Sequence, residues 1–233
     1  MKHYALCLMM AILLVGCATS GIVDGQAIEV PYLPSQVTVD GELNEECYRN
    51  CIPFTAFLVA GDNTKEAMAT KAWLFWNETC LACAFECVDT TPAWAPPSDN
   101  ERDVDGQDRV ELFLWTGDPE GDYFCIEMAP AGAIHDYKAQ FYRNFDDTWH
   151  PGDGWAVKSR LTSQGYTVEM CLPKTVFEET GVKLQSGCHF RMGLFRADYD
   201  KLNGEPTWIA WIDHGGEPDF HLAESFGIGV LAK

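Results

Sequence analysis

Basic charge is scarce in this chain. Sixteen Lys and Arg stand against 35 Asp and Glu in 233 residues, a formal net charge of -19. Phosphate contacts need clustered Lys and Arg, so the balance argues against nucleic acid as a partner. It argues equally against adsorption to anionic lipid by charge, while an acidic, aromatic-rich surface suits neutral polyols and calcium; that the acidity only keeps an exported protein soluble is the alternative. Long apolar runs are missing too. Tyr4 to Val15 is apolar but falls short of the ~20 residues that a bilayer-spanning helix needs. No Gly-x-Ser-x-Gly elbow, phosphate-binding glycine loop or dinucleotide fingerprint occurs, and none of the six histidines stands in a His-Glu-x-x-His pair. A carboxylate pair for glycoside hydrolysis stays open, because spacing in sequence says nothing about the ~5 to 9 Å that must separate the two groups. There is no internal repeat and little apolar periodicity of 3.6.

The front end reads as a targeting signal. Lys2 and His3 form a short basic start, the apolar run follows, and Leu14-Val15-Gly16-Cys17 stands where a bacterial lipobox would. On that reading residues 1 to 17 are a lipoprotein signal peptide, Cys17 is acylated, and the protein is exported and anchored by lipid to the cell envelope. An ordinary secretory signal that contains a cysteine is the alternative. Residues 18 to 27 read as a tether, which leaves 28 to 233 as one domain with a sizeable core. Eight further cysteines outside the signal would allow 105 pairings in an oxidising compartment. Cys83, Cys87, Cys125 and Cys171 lie within apparent strands, where a free thiol serves as a small hydrophobe. Cys80-x-x-Cys83 lacks the helix of a redox site and the second ligand pair of a zinc site. Cys47 and Cys51, four apart on a possible helical turn, are the better candidates to bridge to other cysteines.

The dominant period is two. Ala72 to Trp76 and Leu81 to Val88 flank an Asn77-Glu78-Thr79 turn. Val110, Leu112 and Leu114 fall on one face of a strand; Arg109, Glu111 and Phe113 fall on the other. Tyr123 to Met128, Trp155 to Leu161, Tyr166 to Leu172, Phe190 to Ala197, Thr207 to Ile212 and Gly227 to Leu231 complete the set. Helix is limited to Asn44–Asn50 and Thr175–Glu179. The class is therefore all-β: a two-sheet antiparallel sandwich, jelly-roll or immunoglobulin-like, with few short helices. Thr90–Gln107 and Ile134–Asp153 exceed ordinary connections and, being rich in Trp, Asp, Pro and Gly, are candidate binding loops.

Sugar binding needs aromatic faces for the C–H face of the ring and planar polar groups for the hydroxyls. Trp94, held in the stiff segment Pro92-Ala-Trp-Ala-Pro-Pro97, is either such a face or a loop anchor. Glu86, Glu111, Glu127 and Glu169 each stand among apolar neighbours, so each faces solvent, pairs with an arginine or lines a groove. Asp103, Asp105 and Asp108 with Gly106 resemble a calcium loop, since alternate carboxylates let several oxygens converge on a hard cation; a solvated acidic loop is the alternative.

Five motifs carry a resemblance. They are Val37-Thr-Val-Asp-Gly-Glu-Leu-Asn-Glu-Glu46, Asp108-Arg-Val-Glu-Leu-Phe-Leu114, Asp122-Tyr-Phe-Cys-Ile-Glu127, Gly165-Tyr-Thr-Val-Glu-Met-Cys-Leu-Pro173 and Phe220-His-Leu-Ala-Glu-Ser-Phe-Gly227. In that order the chain resembles the family 9 carbohydrate-binding modules and their relatives in the DOMON-like β-sandwich superfamily. The resemblance implies glycan binding without cleavage, in support of partner glycoside hydrolases, and a structural calcium. It implies a sugar held between two rings, with the Glu of the Val-Glu pair bonding hydroxyls; here those positions fall on Asp105, Phe220 and Glu111. Asp105 is no ring, and Cys125 stands where the family has an arginine, with Arg109, Arg191 or Arg196 left to compensate. The candidate ligand site is thus Trp94, Arg109, Glu111, Arg196, Phe220 and His221. Rival expectations are a haem-binding electron-transfer module using Met128, Met170 or Met192 with His135 or His189, a glycoside hydrolase, and a structural envelope protein.

Overall fold

A computed structural model describes residues 27–34 and 36–233. The signal peptide with Cys17, and the tether as far as residue 26, lie outside the described residues. Thirteen strands form two sheets. The smaller sheet has the order β3 (Thr70–Trp76), β4 (Cys80–Val88), β10 (Gly165–Pro173), β9 (Ala156–Thr162). The larger runs β1 (Ala27–Val30), β13 (Gly227–Leu231), β11 (His189–Tyr199), β5 (Arg109–Trp115), β6 (Tyr123–Met128), β7 (Ile134–Gln140), β8 (Asn144–Asp146). A branch adds β12 (Pro206–Ala210) to β11 and β2 (Leu58–Val59) to β12. The expected two-sheet sandwich is what forms. Among the described strands, every pairing is antiparallel except β1 with β13, which run parallel.

Alternation decides which residues are shared between the sheets. Leu81, Cys83, Phe85 and Cys87 of β4 and Tyr166, Val168, Met170 and Leu172 of β10 meet Val110, Leu112 and Leu114 of β5 in one buried core. The intervening residues face outward, yet both outer faces are covered. On the small sheet, Trp73, Phe75, Ala82 and Ala84 are roofed by Cys47 and Tyr48 of helix α1 (Glu46–Asn50). Glu169 holds this roof down. Fully buried, it accepts hydrogen bonds from the N–H of Asp40 (2.9 Å) and Gly41 (3.0 Å) and from the Tyr48 hydroxyl (2.7 Å). The Val37–Glu46 motif is therefore a strap over the sheet, and Gly41 takes the positive φ (83°) that its turn requires. Glu86, by contrast, faces solvent in a cross-strand pair with Lys71.

On the large sheet the outer cluster contains Phe113, Trp115, Tyr123, Cys125, Tyr137 and Phe195, covered by Phe220 and Phe226 from the C-terminal loop. Two expectations need correction. Ile134–Asp153 is no single loop, because β7 and β8 extend the sheet within it; the β7 sequence Ile-His-Asp-Tyr-Lys-Ala-Gln lacks aliphatic alternation, since one of its faces serves polar chemistry. Cys47 and Cys51 are free thiols, like the other six cysteines described. The second helix is α2 (Lys174–Phe177), continued as a 3-10 turn over Glu178–Thr180.

Phe195 owes its position to a missing side chain. A Cβ at Gly193 would sit 2.2 Å from the Phe195 ring, which lies back over that backbone. Phe195 in turn stacks on Phe220 at 4.1 Å and 11°. Gly193→Ala is expected to expel the ring and cost about 1–3 kcal/mol, read as a lowered urea midpoint at unchanged m; an unchanged midpoint would mean that the ring relocates freely.

Candidate functional site

Strand register arranges the outer face of the large sheet in rows. Phe195, Glu111, Glu127 and His135 stand side by side on β11, β5, β6 and β7. The next row is Gly193, Phe113, Cys125 and Tyr137. Trp208 of β12 lies opposite Ala197, and Phe145 of β8 opposite Ala139. Above the rows opens a cavity of about 350 Å³. Its floor is polar, and its rim carries rings on opposite flanks, Trp208 of β12 with Phe220 of the C-terminal loop on one side and Phe145 of β8 on the other.

Glu111 and Glu127 are directly opposed and buried, an unfavourable pairing unless a cation joins them. Arg109 is that cation. Its Nε lies 2.8 Å from Glu111 Oε1 and 2.7 Å from Glu127 Oε2, and Nη1 donates to the carbonyl of Asp105 at 2.9 Å. Tyr137 donates to the second Glu127 oxygen at 2.7 Å. Burial, followed by the charge of Glu127, pushes the Glu111 carboxyl upward against the pull of Arg109. Burial also opposes the charge of Arg109, but Glu127 and Glu111 outweigh it and raise its pKa. The guanidinium lies 5.6 Å from the centre of the Trp208 ring, and Arg102, anchored by Asp147, lies at the same 5.6 Å from Phe145.

The C-terminal loop forms the remaining wall. Asp219 accepts hydrogen bonds from Tyr142 (2.5 Å), Arg143 (2.8 Å) and the N–H of His221 (2.9 Å). His221 Nδ1 meets the Tyr123 hydroxyl at 3.0 Å. Burial and then Arg143 lower the His221 pKa to about 3, so its ring is neutral.

Four of the six proposed ligand residues meet here: Arg109, Glu111, Phe220 and His221. The other two are corrections. Trp94 does not line the cavity and is 38% exposed. Its segment is tied down instead, by Ala93 N–H to Asp108 (2.6 Å) and Ala95 N–H to Gln107 (2.8 Å). Arg196 shares its face with Val110 of the inter-sheet core, not with Glu111. Fully buried, it donates to the Val88 carbonyl and pairs with Asp89 and Asp198. The proposed calcium ligands diverge. Asp103 accepts from Ser98 and Asn100 at the surface, Asp105 turns to His135, and Asp108 is buried beneath the N–H groups of Ala93 and Tyr199. Burial first, and then Asp89, pushes the Asp108 carboxyl up to about 7 despite those bonds. The calcium loop expected from these three does not assemble, because residues 101–106 wind into a 3-10 helix that fans them apart. Cys125 packs in the buried outer cluster. The haem candidates are likewise split: Met128, Met170 and Met192 face the inter-sheet core, His135 faces the cavity, and His189 is exposed.

The sequence reading missed Trp208, Phe145, Tyr137, Tyr199 and the arginines at 102 and 143 as lining residues. Trp208 was accessible in principle: it alternates with Ile209, which is fully buried, and so faces the other side of the sheet.

No family model matches the sequence, and no curated protein does. Solved structures do. A candidate carbohydrate-binding protein from Bacteroides uniformis superposes with a TM-score of 0.71 at 15% identity, covering 89% of this chain and 100% of the other. A family 9 carbohydrate-binding module from Caldicellulosiruptor kristjanssonii in complex with glucose gives 0.64 at 17% identity over 89% and 97%. One from the same organism with cellotriose gives 0.62 at 16% over 89% and 94%. The fold is that of a family 9 carbohydrate-binding module. At these identities the shared feature is the family 9-like sandwich itself, and the cavity must be judged on its own residues.

The neutral His221 makes stability pH-dependent with a defined sign. Its folded pKa lies below its ordinary value of 6.5, so its contribution is complete above pH 6.5 and declines as pH falls toward 3. The stability advantage of the parent over His221→Gln should therefore be largest above pH 6.5 and shrink steadily on acidification, as measured by urea unfolding at several pH values. A constant difference would mean that His221 keeps an ordinary pKa.

Proposed function

We propose that this chain is a non-catalytic carbohydrate-binding module that holds a sugar in the cavity on the outer face of its large sheet. The observation that carries this is the cavity's composition: rings of Trp208, Phe220 and Phe145 at the rim, above a fixed floor of Arg109, Glu111 and Glu127. Aromatic faces and planar hydrogen-bonding groups are the two requirements for gripping a pyranose. The volume lies at the low end of small-molecule sites and suits one sugar unit or a short stretch. The shared sandwich with modules that bind glucose and cellotriose supports the same reading. Glu111 and Glu127 both clasp one guanidinium nitrogen, which supports a positioning role for them over a cleaving one.

The wider role completes the proposal. The basic start, apolar run and Leu-Val-Gly-Cys17 support export and lipid anchoring at the cell envelope, where the module would present polysaccharide or oligosaccharide to separate glycoside hydrolases.

A glycan array with residues 18–233, followed by calorimetric titration of the sugars retained, tests the reading. Trp208→Ala should weaken binding at least about tenfold, or ~1.4 kcal/mol, with the thermal midpoint little changed. Trp94→Ala should bind as the parent does. Loss of binding on Trp94→Ala with none on Trp208→Ala would move the site to the 92–97 segment, and a folded protein that retains no glycan would end the carbohydrate reading. Glu111→Ala should also weaken binding without unfolding the domain; equal affinity would remove Glu111 from the site.

A further inference from the structure

The cavity floor holds a second arrangement that sugar stacking does not explain. His135 is 3% exposed, yet its Nε2 takes no hydrogen bond. Its Nδ1 faces Asp105 Oδ1 at 3.1 Å. The neighbouring Glu127 Oε2 is held by its 2.7 Å ion pair with Arg109 Nε but makes no hydrogen bond in addition. A buried polar atom without a partner is costly, and His135 Nε2, beside an oxygen held by an ion pair alone, points to a further group in the cavity. His135, Glu127 and Asp105 each offer a ligand atom, and these atoms lie within 4.8 Å of one another.

We propose that Asp105, Glu127 and His135 bind a divalent transition cation of the zinc class at the floor of the cavity. Imidazole with two carboxylates suits zinc, cobalt or manganese, whereas calcium and magnesium favour all-oxygen sets. Zinc-class ligands stand ~2.0–2.2 Å from the ion, so the three side chains would close in around it. The local charge favours a cation: Asp105, Glu111, Glu127 and Asp147 surround two guanidiniums, Arg102 and Arg109. Asp147 Oδ1 already stands 3.7 Å from His135 Nε2. Access is open, because the Asp105 side chain is 48% exposed at the cavity mouth while its two fellow ligands are buried. Three protein ligands leave open coordination positions, and these face the cavity. This last point rests on the carbohydrate reading above: there the open positions would take sugar hydroxyls, and the cation would raise affinity.

Cobalt titration of residues 18–233 under reducing conditions tests the site without any sugar. One equivalent of Co²⁺ should bind, giving visible ligand-field absorption with no sulfur-to-cobalt charge-transfer band in the near ultraviolet. Asp105→Asn, at an exposed position that does not threaten folding, should weaken binding about 10- to 100-fold. His135→Ala should abolish it, and Cys80→Ser should leave it unchanged. A thiolate band, no saturable binding, or equal affinity in the Asp105 and His135 variants would overturn the proposal. Titrating the array-selected sugar with and without Co²⁺ then separates the two readings. Higher sugar affinity with cobalt supports the deepened site, and equal affinity removes the cation from sugar contact. Cobalt binding with no sugar binding at all would sink the carbohydrate reading and leave the cation site standing.

Discussion

Two carboxylates set directly opposite each other on a sheet face repel, and in this protein a single guanidinium resolves the conflict. Glu111 and Glu127 occupy paired positions of β5 and β6, out of water, and Arg109 reaches both with one nitrogen. The cost of burying one charge unpaired is several kcal/mol, so removing Arg109 alone would strand two opposed carboxylates, whereas removing Glu111 alone leaves the Arg109–Glu127 pair. Their mutual constraint fixes the polar floor before any ligand arrives. It also binds that floor to the loop above, because Arg109 and Tyr199 both donate to the carbonyl of Asp105. Preorganisation of this kind lowers the ordering cost of binding.

The two sheets use their outer faces in opposite ways. On the small sheet, Glu169 draws a strap of chain down onto aromatic residues and closes the face. On the large sheet, the C-terminal loop covers only the half occupied by Phe113, Trp115, Tyr123 and Phe195 and stops where the carboxylates begin. A buried glutamate thus plays two parts in one fold. Where backbone N–H groups saturate it, the face is sealed; where a guanidinium holds it, the face stays open to a small molecule.

Strands and their facing were legible because period two is local. The assignment of Val110 and Leu112 to one face and Arg109 and Glu111 to the other follows from alternation alone, and two site residues came with it, while Phe220 and His221 came from the C-terminal motif. The failures share one cause: position along the chain does not report which strands become neighbours. Arg196 and Phe195 are adjacent in sequence and lie on opposite faces, and only the pairing with Val110 and Glu111 tells which face holds the cavity. Trp94 looked like a binding ring because its loop is stiff, but that stiffness comes from its attachment to Gln107 and Asp108. His135 and Phe145 were hidden in a segment whose polar content resembles a loop, because a strand that lines a polar cavity loses the apolar alternation by which strands are recognised.

The parallel pairing of β1 with β13 governs how the domain bears load. Ala27 is paired with Ile228 and Val30 with Leu231, so the first described residues run alongside the last strand rather than turning back on it. From β13 the sheet continues through β11 to β5, the strand that carries Arg109 and Glu111. Tension applied ahead of Ala27 and resisted by a molecule seated in the cavity would cross these strands in sequence. Pulled along the strand axis, the β1–β13 rungs share the force in shear instead of opening one at a time like a zip. The sheet that shapes the cavity is therefore also the line along which a mechanical pull on the domain is resisted.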